Sequence, residues 1–300
     1  MYKIGIDLGG TKIAAVILDS QGQQLWEKRI ATPQNDYGQL ISAFRDLVAS
    51  ADQFTKPVIA SIGIGIPGAI DSVSQRIKNS NLTLINGTTL DRDLRQAIGR
   101  DIRIGNDANC LATSEATDGA AKGAGLVFAI IIGTGTGGGI ALHGQQHIGP
   151  NAIGGEWGHN PLPWPDAGIE LPGPPCYCGK FGCIETWISG TGLAKDHLRV
   201  SGLSLRGEQI VAAAAAGEPE AEASLQRFEN RFARATATII NSLDPDVIVV
   251  GGGLSRLERL YVNIPKLWPQ FVFSPQIVTP FLPALHGDAS GVRGAAHLWP

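Results

Sequence analysis

Four side chains in the middle of the chain are suited to bind one metal ion. His159 is followed by Cys176, Cys178 and Cys183, with sixteen, one and four residues between successive members. Three thiolates and an imidazole form a closed tetrahedral zinc site. The alternative, three reduced core cysteines and a surface histidine, fits poorly, because prolines and glycines flank the cysteines and break any apolar face. The spacing predicts a structural zinc ion.

Three carboxylates are candidates for substrate chemistry. Glu156 and Glu185 each lie within three residues of a metal ligand, so closing the metal loop would bring them together. The alternative is that both glutamates are solvated carboxylates on the protein surface. Asp107, in Asn106-Asp107-Ala108-Asn109, stands between a predicted strand and a predicted helix, where a carboxylate could take a proton from a substrate hydroxyl during phosphoryl transfer. A helix N-cap is the competing explanation for Asp107.

Two glycine turns follow apolar strands and expose backbone amides that suit a polyphosphate. The first is Gly9-Gly10-Thr11-Lys12, and the second runs from Gly133 to Gly139. Either turn alone could be an ordinary hairpin, but two of similar construction favour phosphate binding. No Walker Gly-Lys-Ser/Thr is present, and a strand follows Gly133-x-Gly135-x-x-Gly138 where a dinucleotide-binding turn requires a helix.

Two charged residues accompany the first turn. Asp7 lies where the preceding strand meets the turn, and from there its carboxylate could hold Mg²⁺ or the water shell of that ion, although turn stabilisation is the alternative. Lys12 could pair with a phosphate group or face solvent at the strand edge.

The elements that must position these groups alternate between strand and helix. Strands are predicted at Lys3–Leu8, Ile13–Leu18, Val58–Ile66, Ile102–Ile104, Val127–Ile132, Ile140–Leu142 and Asp246–Val250, and helices at Tyr37–Ala51, from Ala108, across much of Gly207–Leu243 and at Gly291–Leu298. The strand-turn-strand plan of Lys3–Leu18 recurs at Val127–Leu142, which indicates an internal duplication. This alternation predicts an α/β fold.

Length and composition favour a two-lobed protein that binds small molecules. The 300 residues reach the size at which chains split into domains, and we place one lobe at 1–118, completed by a C-terminal helix at 288–300, and a larger lobe at 119–287 with a metal loop at 149–192. With 17% charged residues, a net charge of −3 and no basic run, nucleic acid and membrane surfaces are not expected partners. No signal-peptide pattern opens the chain, so we expect a cytoplasmic location. We also expect a homodimer.

These motifs together resemble the ROK family of sugar kinases and sugar-responsive repressors, and within it the bacterial fructokinase (manno-fructokinase) group. The resemblance runs from end to end. It is carried by Asp7-Leu8-Gly9-Gly10-Thr11-Lys12, Gly105–Asn109, Gly133–Gly137, Gly155-Glu156-Trp157-Gly158-His159 and Cys176–Glu185. It implies a two-lobed actin/hexokinase-like (ribonuclease H-like) ATPase fold with a zinc-pinned loop.

The resemblance also assigns roles to individual residues. Asp107 is the implied base, and His159 with the three cysteines holds zinc. The implied sugar contacts are Asn81, Asn106, Asp107, Glu156, His159 and Glu185. The implied ATP contacts are Ile4, Gly5, Ile6, Asp7, Leu8, Gly9, Gly10, Thr11, Lys12, Gly133, Thr134, Gly135, Thr136, Gly137, Gly138, Gly139, Ile140, Gly251, Gly252 and Gly253.

The substrate implied by the resemblance is a hexose, phosphorylated by MgATP. The segment Glu156–Trp164 looks most like the fructokinase group, which implies conversion of fructose to fructose 6-phosphate. Glucose, mannose and N-acetylhexosamines are alternative acceptors, and a non-catalytic sugar sensor is the alternative of a different class. We further expect sugar binding to close the lobes around a hinge at Gly119–Gly125.

Overall fold

The computed structural model describes residues 1–299, which form two compact units. The first unit comprises Met1–Ala129, Gly139–Gly155 and the chain from Leu285, and the second comprises Ile130–Gly138 and Glu156–Ala284. The chain therefore passes from one unit to the other four times. The lobe boundary between residues 118 and 119 stays a prediction, and Pro300, in the predicted terminal segment, lies outside the described residues.

A five-stranded sheet forms the centre of the first unit. Its order is β3-β2-β1-β4-β7, with β1, β2 and β3 antiparallel and β1, β4 and β7 parallel. The strands are β1 (Lys3–Leu8), β2 (Lys12–Leu18), β3 (Gln24–Ala31), β4 (Ser61–Ile66) and β7 (Arg103–Asn106), and a short pair, β5 (Ala69–Ile70) and β6 (Ile77–Lys78), stands apart.

Helices cover this sheet through apolar faces. They are α1 (Tyr37–Thr55), α2 (Leu90–Ile98), α3 (Asp107–Thr117) and α8 (Ser290–Ala296). Leu40, Phe44, Leu47 and Ala51 recur every three to four residues of α1, so they share one face and join the buried cluster around Ile6. This packing holds the carboxyl ends of β1, β4 and β7 in place.

Helix α8 approaches its neighbours so closely that glycines are required at the contacts. A Cβ on Gly294 would overlap the carbonyl oxygen of Cys110 in α3, and a Cβ on Gly63 in β4 would overlap the carbonyl oxygen of Ala295. The small residues of α8 therefore fix it against both α3 and the sheet.

Replacing Gly294 by Ala should destabilise the protein by about 1–3 kcal/mol, the usual cost of overpacking, because the obstacle is backbone. We expect a Tm lower by several degrees in a thermal melt. Gly207→Ala is the matched control, since the nearest atom to its Cβ is 3.7 Å away. Equal Tm values for the two variants would contradict the close packing of α8.

A second five-stranded sheet has the order β10-β9-β8-β11-β12. Its strands are β8 (Leu126–Ile132), β9 (Thr136–Leu142), β10 (Gln145–Gln146), β11 (Val247–Gly251) and β12 (Phe281–Pro283), and the helices of the second unit are α4 (Gly190–Ser201), α5 (Gly207–Ala215), α6 (Pro219–Leu243) and α7 (Glu258–Leu267). In both sheets two strands joined by a glycine turn occupy corresponding places in the order. The predicted duplication and α/β class are confirmed.

The segment between β10 and α4 is held by turns and bridges. It contains 3₁₀ turns at Trp157–His159 and Ile184–Thr186 and isolated bridges pairing Pro161 with Cys183 and Pro175 with Phe181. Among residues 1–299, no helix combines the length and the apolar character needed to cross a membrane.

Helix α1 ends at Thr55 rather than at the predicted Ala51, and two further predicted boundaries are wrong. Strand β4 begins at Ser61 rather than Val58. The Val58 amide donates to the carbonyl of Thr55 and so belongs to a turn, and Ile59 is exposed. The second glycine turn ends early, since Thr136–Gly139 already belong to β9.

Candidate functional site

Asn106 caps helix α3, although the sequence left that role open to Asp107. The Asn106 Oδ1 atom accepts hydrogen bonds from the amides of Ala108 (2.9 Å) and Asn109 (3.3 Å), and its Nδ2 donates to the carbonyl of Gly68 (3.1 Å). Asp107 is the first helical residue, and its Oδ1 accepts from Ala108 at 2.8 Å. Because Asn106 performs the capping, the helix does not need the Asp107 carboxylate for it.

Asp7 and Asp107 form an acidic pair within the first unit. The pKa of Asp7 is raised to about 7, mainly by desolvation and also by the negative charge of Asp107, while the positive charge of Lys12 opposes the shift. The two carboxylates thus repel each other in a desolvated place, and a cation is the partner that would relieve them.

Asn81 lies on an exposed loop whose backbone is held by a residue that sequence reasoning missed. The Asn86 side chain accepts from the Ser80 amide (3.0 Å) and donates to the Ser80 carbonyl (2.8 Å). Ser80 in turn lies against Gly68, the residue that accepts from Asn106. The structure therefore brings the predicted sugar residues Asn81 and Asn106 to adjoining backbone segments.

Two carbonyls of the first glycine turn accept hydrogen bonds from side chains. The Thr32 hydroxyl donates to the carbonyl of Gly9 (2.7 Å), and the Gln34 side chain donates to the carbonyl of Gly10. Since a trans peptide holds N–H and C=O on opposite sides, the amides of Gly10 and Thr11 point away from these donors.

The remaining residues of the predicted first phosphate segment lie inside the fold. Ile4, Ile6 and Leu8 are buried in the core, and Gly5 lies under α8. Only the turn presents backbone outward.

The second turn, in the second unit, has the same construction. The Gly190 amide donates to the carbonyl of Gly133 (2.8 Å), and the Thr191 hydroxyl donates to the carbonyl of Thr134 (2.7 Å). The amides of Thr134 and Gly135 therefore point the opposite way. Both turns can present paired N–H donors to phosphate oxygens.

Two other predicted nucleotide glycines have packing roles in the structure. A Cβ on Gly139 would overlap the Ala108 carbonyl at the start of α3, and the adjacent Ile140 amide donates to the Asn109 side chain (3.0 Å). Gly252 has φ +87° and lies against the carbonyl of Ile132. Their nucleotide contacts stay predictions.

The predicted metal ligands come together in the second unit. The ligand atoms of His159, Cys176, Cys178 and Cys183 all lie within 4.8 Å of one another. The Cys178 and Cys183 sulfurs are 3.6 Å apart, near the roughly 3.8 Å edge of a tetrahedron with Zn–S bonds of about 2.3 Å. The donor set and its spacing fit zinc.

The His159 ring is oriented by a partner that the sequence did not reveal. Its Nδ1 lies 3.5 Å from the Cys176 sulfur, and its Nε2 lies 2.9 Å from the Tyr177 hydroxyl. With Nδ1 toward the metal, Nε2–H would donate to Tyr177, the arrangement that fixes ring and tautomer at many metal sites.

Glu185 and Glu156 lie beside this cluster, as the closing of the loop predicts. Glu185 accepts from the Thr136 amide (3.1 Å), and Gly135 leaves room for its carboxylate. Burial raises the pKa of Glu156; the charge of His159 lowers it and that of Glu185 raises it. The metal loop, these two carboxylates and the second glycine turn therefore form one cluster.

The wild-type protein should contain about one zinc ion per chain, and Cys178→Ser should lose it, because three ligands seldom retain a structural zinc. Elemental analysis after exhaustive dialysis measures the content. Cys110→Ala is the control, since Cys110 lies outside the cluster. A metal-free wild type, or a Cys178→Ser variant with undiminished zinc, would refute the assignment.

Comparison with known proteins identifies the fold and the family. Residues 3–300 match the model of the ROK family. An N-acetyl-D-glucosamine kinase of Yersinia pseudotuberculosis is 41% identical over 298 residues, 98% of this chain and 97% of that enzyme. The ROK hexokinase of Thermus thermophilus superimposes with a TM-score of 0.87 at 29% identity, covering 99% of this chain and 97% of that one. A ROK glucokinase of Streptomyces griseus, solved with glucose and AMPPNP, gives 0.78 at 28%, covering 99% of both chains.

The fold is thus the mixed α/β fold of ROK hexokinase-like sugar kinases. The chain belongs to the ROK family. The family prediction is confirmed, whereas none of these relatives supports the fructokinase group.

Proposed function

We propose that this chain is an ATP-dependent sugar kinase that phosphorylates N-acetylglucosamine or a closely related hexose. The family membership and the extent of the match to an N-acetyl-D-glucosamine kinase support this class of reaction and this acceptor. The glucokinase solved with a sugar and an ATP analogue supports the pairing of substrates.

The environment of Asp107 carries the proposal. Its neighbour Asn106 supplies the N-cap, so the Asp107 carboxylate is not needed for that role. The carboxylate lies close enough to the half-buried Asp7 to raise the pKa of that acid. Crowding of carboxylates in this way is typical of sites built for catalysis.

In the proposed reaction Asp107 accepts the proton of the sugar hydroxyl as that oxygen attacks the γ-phosphorus of ATP. The bond from the γ-phosphorus to the β,γ-bridging oxygen breaks, and ADP leaves. Asn81, Asn106, Glu156, His159 and Glu185 are proposed to contact sugar hydroxyls. The amides of the two glycine turns are proposed to bind phosphate oxygens, with Gly251–Gly253 near the nucleoside.

Two metal ions fit the residues present. Asp7 offers the carboxylate oxygen that Mg²⁺ prefers, and the ion would neutralise charge on the ATP phosphates. Zinc at His159 and the cysteines would stiffen the loop that carries Glu156 and Glu185.

Fructose is the second candidate acceptor. The observation in its favour is the segment Glu156–Trp164, whose amino-acid sequence resembles that of the fructokinase group. Cytoplasmic location and homodimer formation likewise stay predictions.

A panel of N-acetylglucosamine, fructose, mannose and glucose with MgATP tests the proposal. We expect kcat/KM for N-acetylglucosamine to exceed the others by about tenfold or more, because groups built to hydrogen-bond a substrate discriminate strongly against analogues. A higher value for fructose would reverse the order of the two acceptors. Binding of sugars without turnover of any of them would favour the sugar sensor and refute the kinase.

A further inference from the structure

A network of ion pairs around two buried carboxylates in the second unit has more cations than anions. Glu170 pairs with Arg231 and Arg234, both at 2.7 Å. Asp196 pairs with Arg199 (2.7 Å), Arg227 (2.8 Å) and Arg231 (3.1 Å). Four guanidinium groups therefore share two carboxylates.

Both carboxylates stay ionised in this network. Burial alone would raise their pKa values, but hydrogen bonds from Arg234 and Arg231 lower the pKa of Glu170, and those from Arg231, Arg199 and Arg227 lower that of Asp196, each to about 2. The excess of positive charge therefore persists at every pH at which the protein works.

The same region contains buried donors without acceptors. Within residues 1–299, the indole Nε1–H of Trp187, Nη2 of Arg231 and Nε of Arg234 have no hydrogen-bond partner. Trp187 is only 3% exposed, and the Arg231 guanidinium lies 4.4 Å from the centre of its ring. Buried donors are normally satisfied, so these three show that the network is short of acceptors.

A cavity of about 350 Å³ adjoins this network. Trp187, Asp196 and Arg199 line it together with Lys195, which adds a fifth cation, and Ile169 and Pro174 contribute apolar walls. The volume falls within the range of small-molecule sites, and the combination of apolar walls with a few cations matches their usual character.

We propose that this cavity binds a small organic oxyanion, a phosphate monoester or a carboxylate. Lys195 and Arg199 supply its charge partners. The apolar walls take the body of the molecule. Because Pro174 and Thr186 in the cavity wall are close in sequence to Cys176 and Glu185, an occupant would contact the segment that carries the metal cluster.

Calorimetric titration of the zinc-loaded full chain tests this proposal without ATP or hexose, so its outcome is independent of the kinase reaction. Glycerol 3-phosphate represents the monoesters and citrate the carboxylates, and saturable binding of one of them identifies the source of the oxyanion. Lys195→Gln and Arg199→Gln should each weaken that binding by about tenfold or more, as expected on losing a charged hydrogen bond.

Lys266→Gln is the matched control, because it removes the same charge from an exposed residue outside the cavity wall. Its affinity should equal that of the wild type. An equal loss of affinity in Lys266→Gln and Lys195→Gln would show that binding depends on the net charge of the protein rather than on the cavity, and would overturn the proposal. Absence of saturable binding of both probes up to about 10 mM would overturn it as well.

Discussion

Asp107→Asn is expected to lower kcat by about 100-fold or more while leaving sugar affinity within a few-fold. Asparagine has nearly the same shape but cannot accept the proton of the attacking hydroxyl, and general-base assistance typically contributes 10²–10⁴-fold. The measurement is steady-state phosphorylation of the preferred hexose, together with calorimetric titration of the sugar. Because the loss concerns the reaction step, kcat and kcat/KM should fall together.

Asn106→Ala is the control that separates catalysis from capping. It removes the hydrogen bonds to Ala108 and Asn109, so it should cost about 0.5–2 kcal/mol of stability, whereas Asp107→Asn should change the Tm little. Wild-type turnover in Asp107→Asn, combined with a lowered Tm, would assign Asp107 to the start of α3 and remove it from the mechanism.

Asp7→Asn is expected to abolish most MgATP-dependent turnover and at the same time to stabilise the protein at neutral pH. The loss follows from removing the carboxylate proposed to hold Mg²⁺ or its water shell. The gain follows from burial, since the pKa of Asp7 is raised from 3.8 to about 7. Each unit of that shift corresponds to about 1.4 kcal/mol by which the folded state disfavours the ionised form.

The sign of the pH dependence is fixed by these two values. Between pH 3.8 and about 7 the folded protein keeps a proton on Asp7 that the unfolded chain has released, so this group costs stability progressively as the pH rises. The Tm advantage of Asp7→Asn should therefore be small at pH 4 and largest at pH 8, in melts without divalent cations. A constant difference across this range would show that the Asp7 carboxyl is not desolvated.

The metal cluster and the two turns were predictable because each depends on a few neighbouring residues of unusual type. Cysteine and histidine at ligand spacing have few alternative explanations, and apolar strands on both sides of glycines define a hairpin. The helical face of α1 followed equally well from its periodicity.

The remaining features depend on contacts between distant segments. Asn106 and Asp107 are both good N-caps, and only the backbone decides which of them starts α3. The function of Gly139 becomes visible only when α3 lies against it. Glu170 and Arg231 are 61 residues apart, and no local sequence pattern predicts that they form an ion pair.

The position of α8 in the chain has a consequence for synthesis on the ribosome. Strand β4 ends at Ile66, but α8, which packs against it, begins at Ser290. At about 5–20 residues per second the intervening 223 residues take roughly 10–45 s to emerge. Throughout that interval the surface of the first sheet that α8 later covers stays exposed to water. We therefore expect chaperones to bind the nascent chain until its last helix has been made.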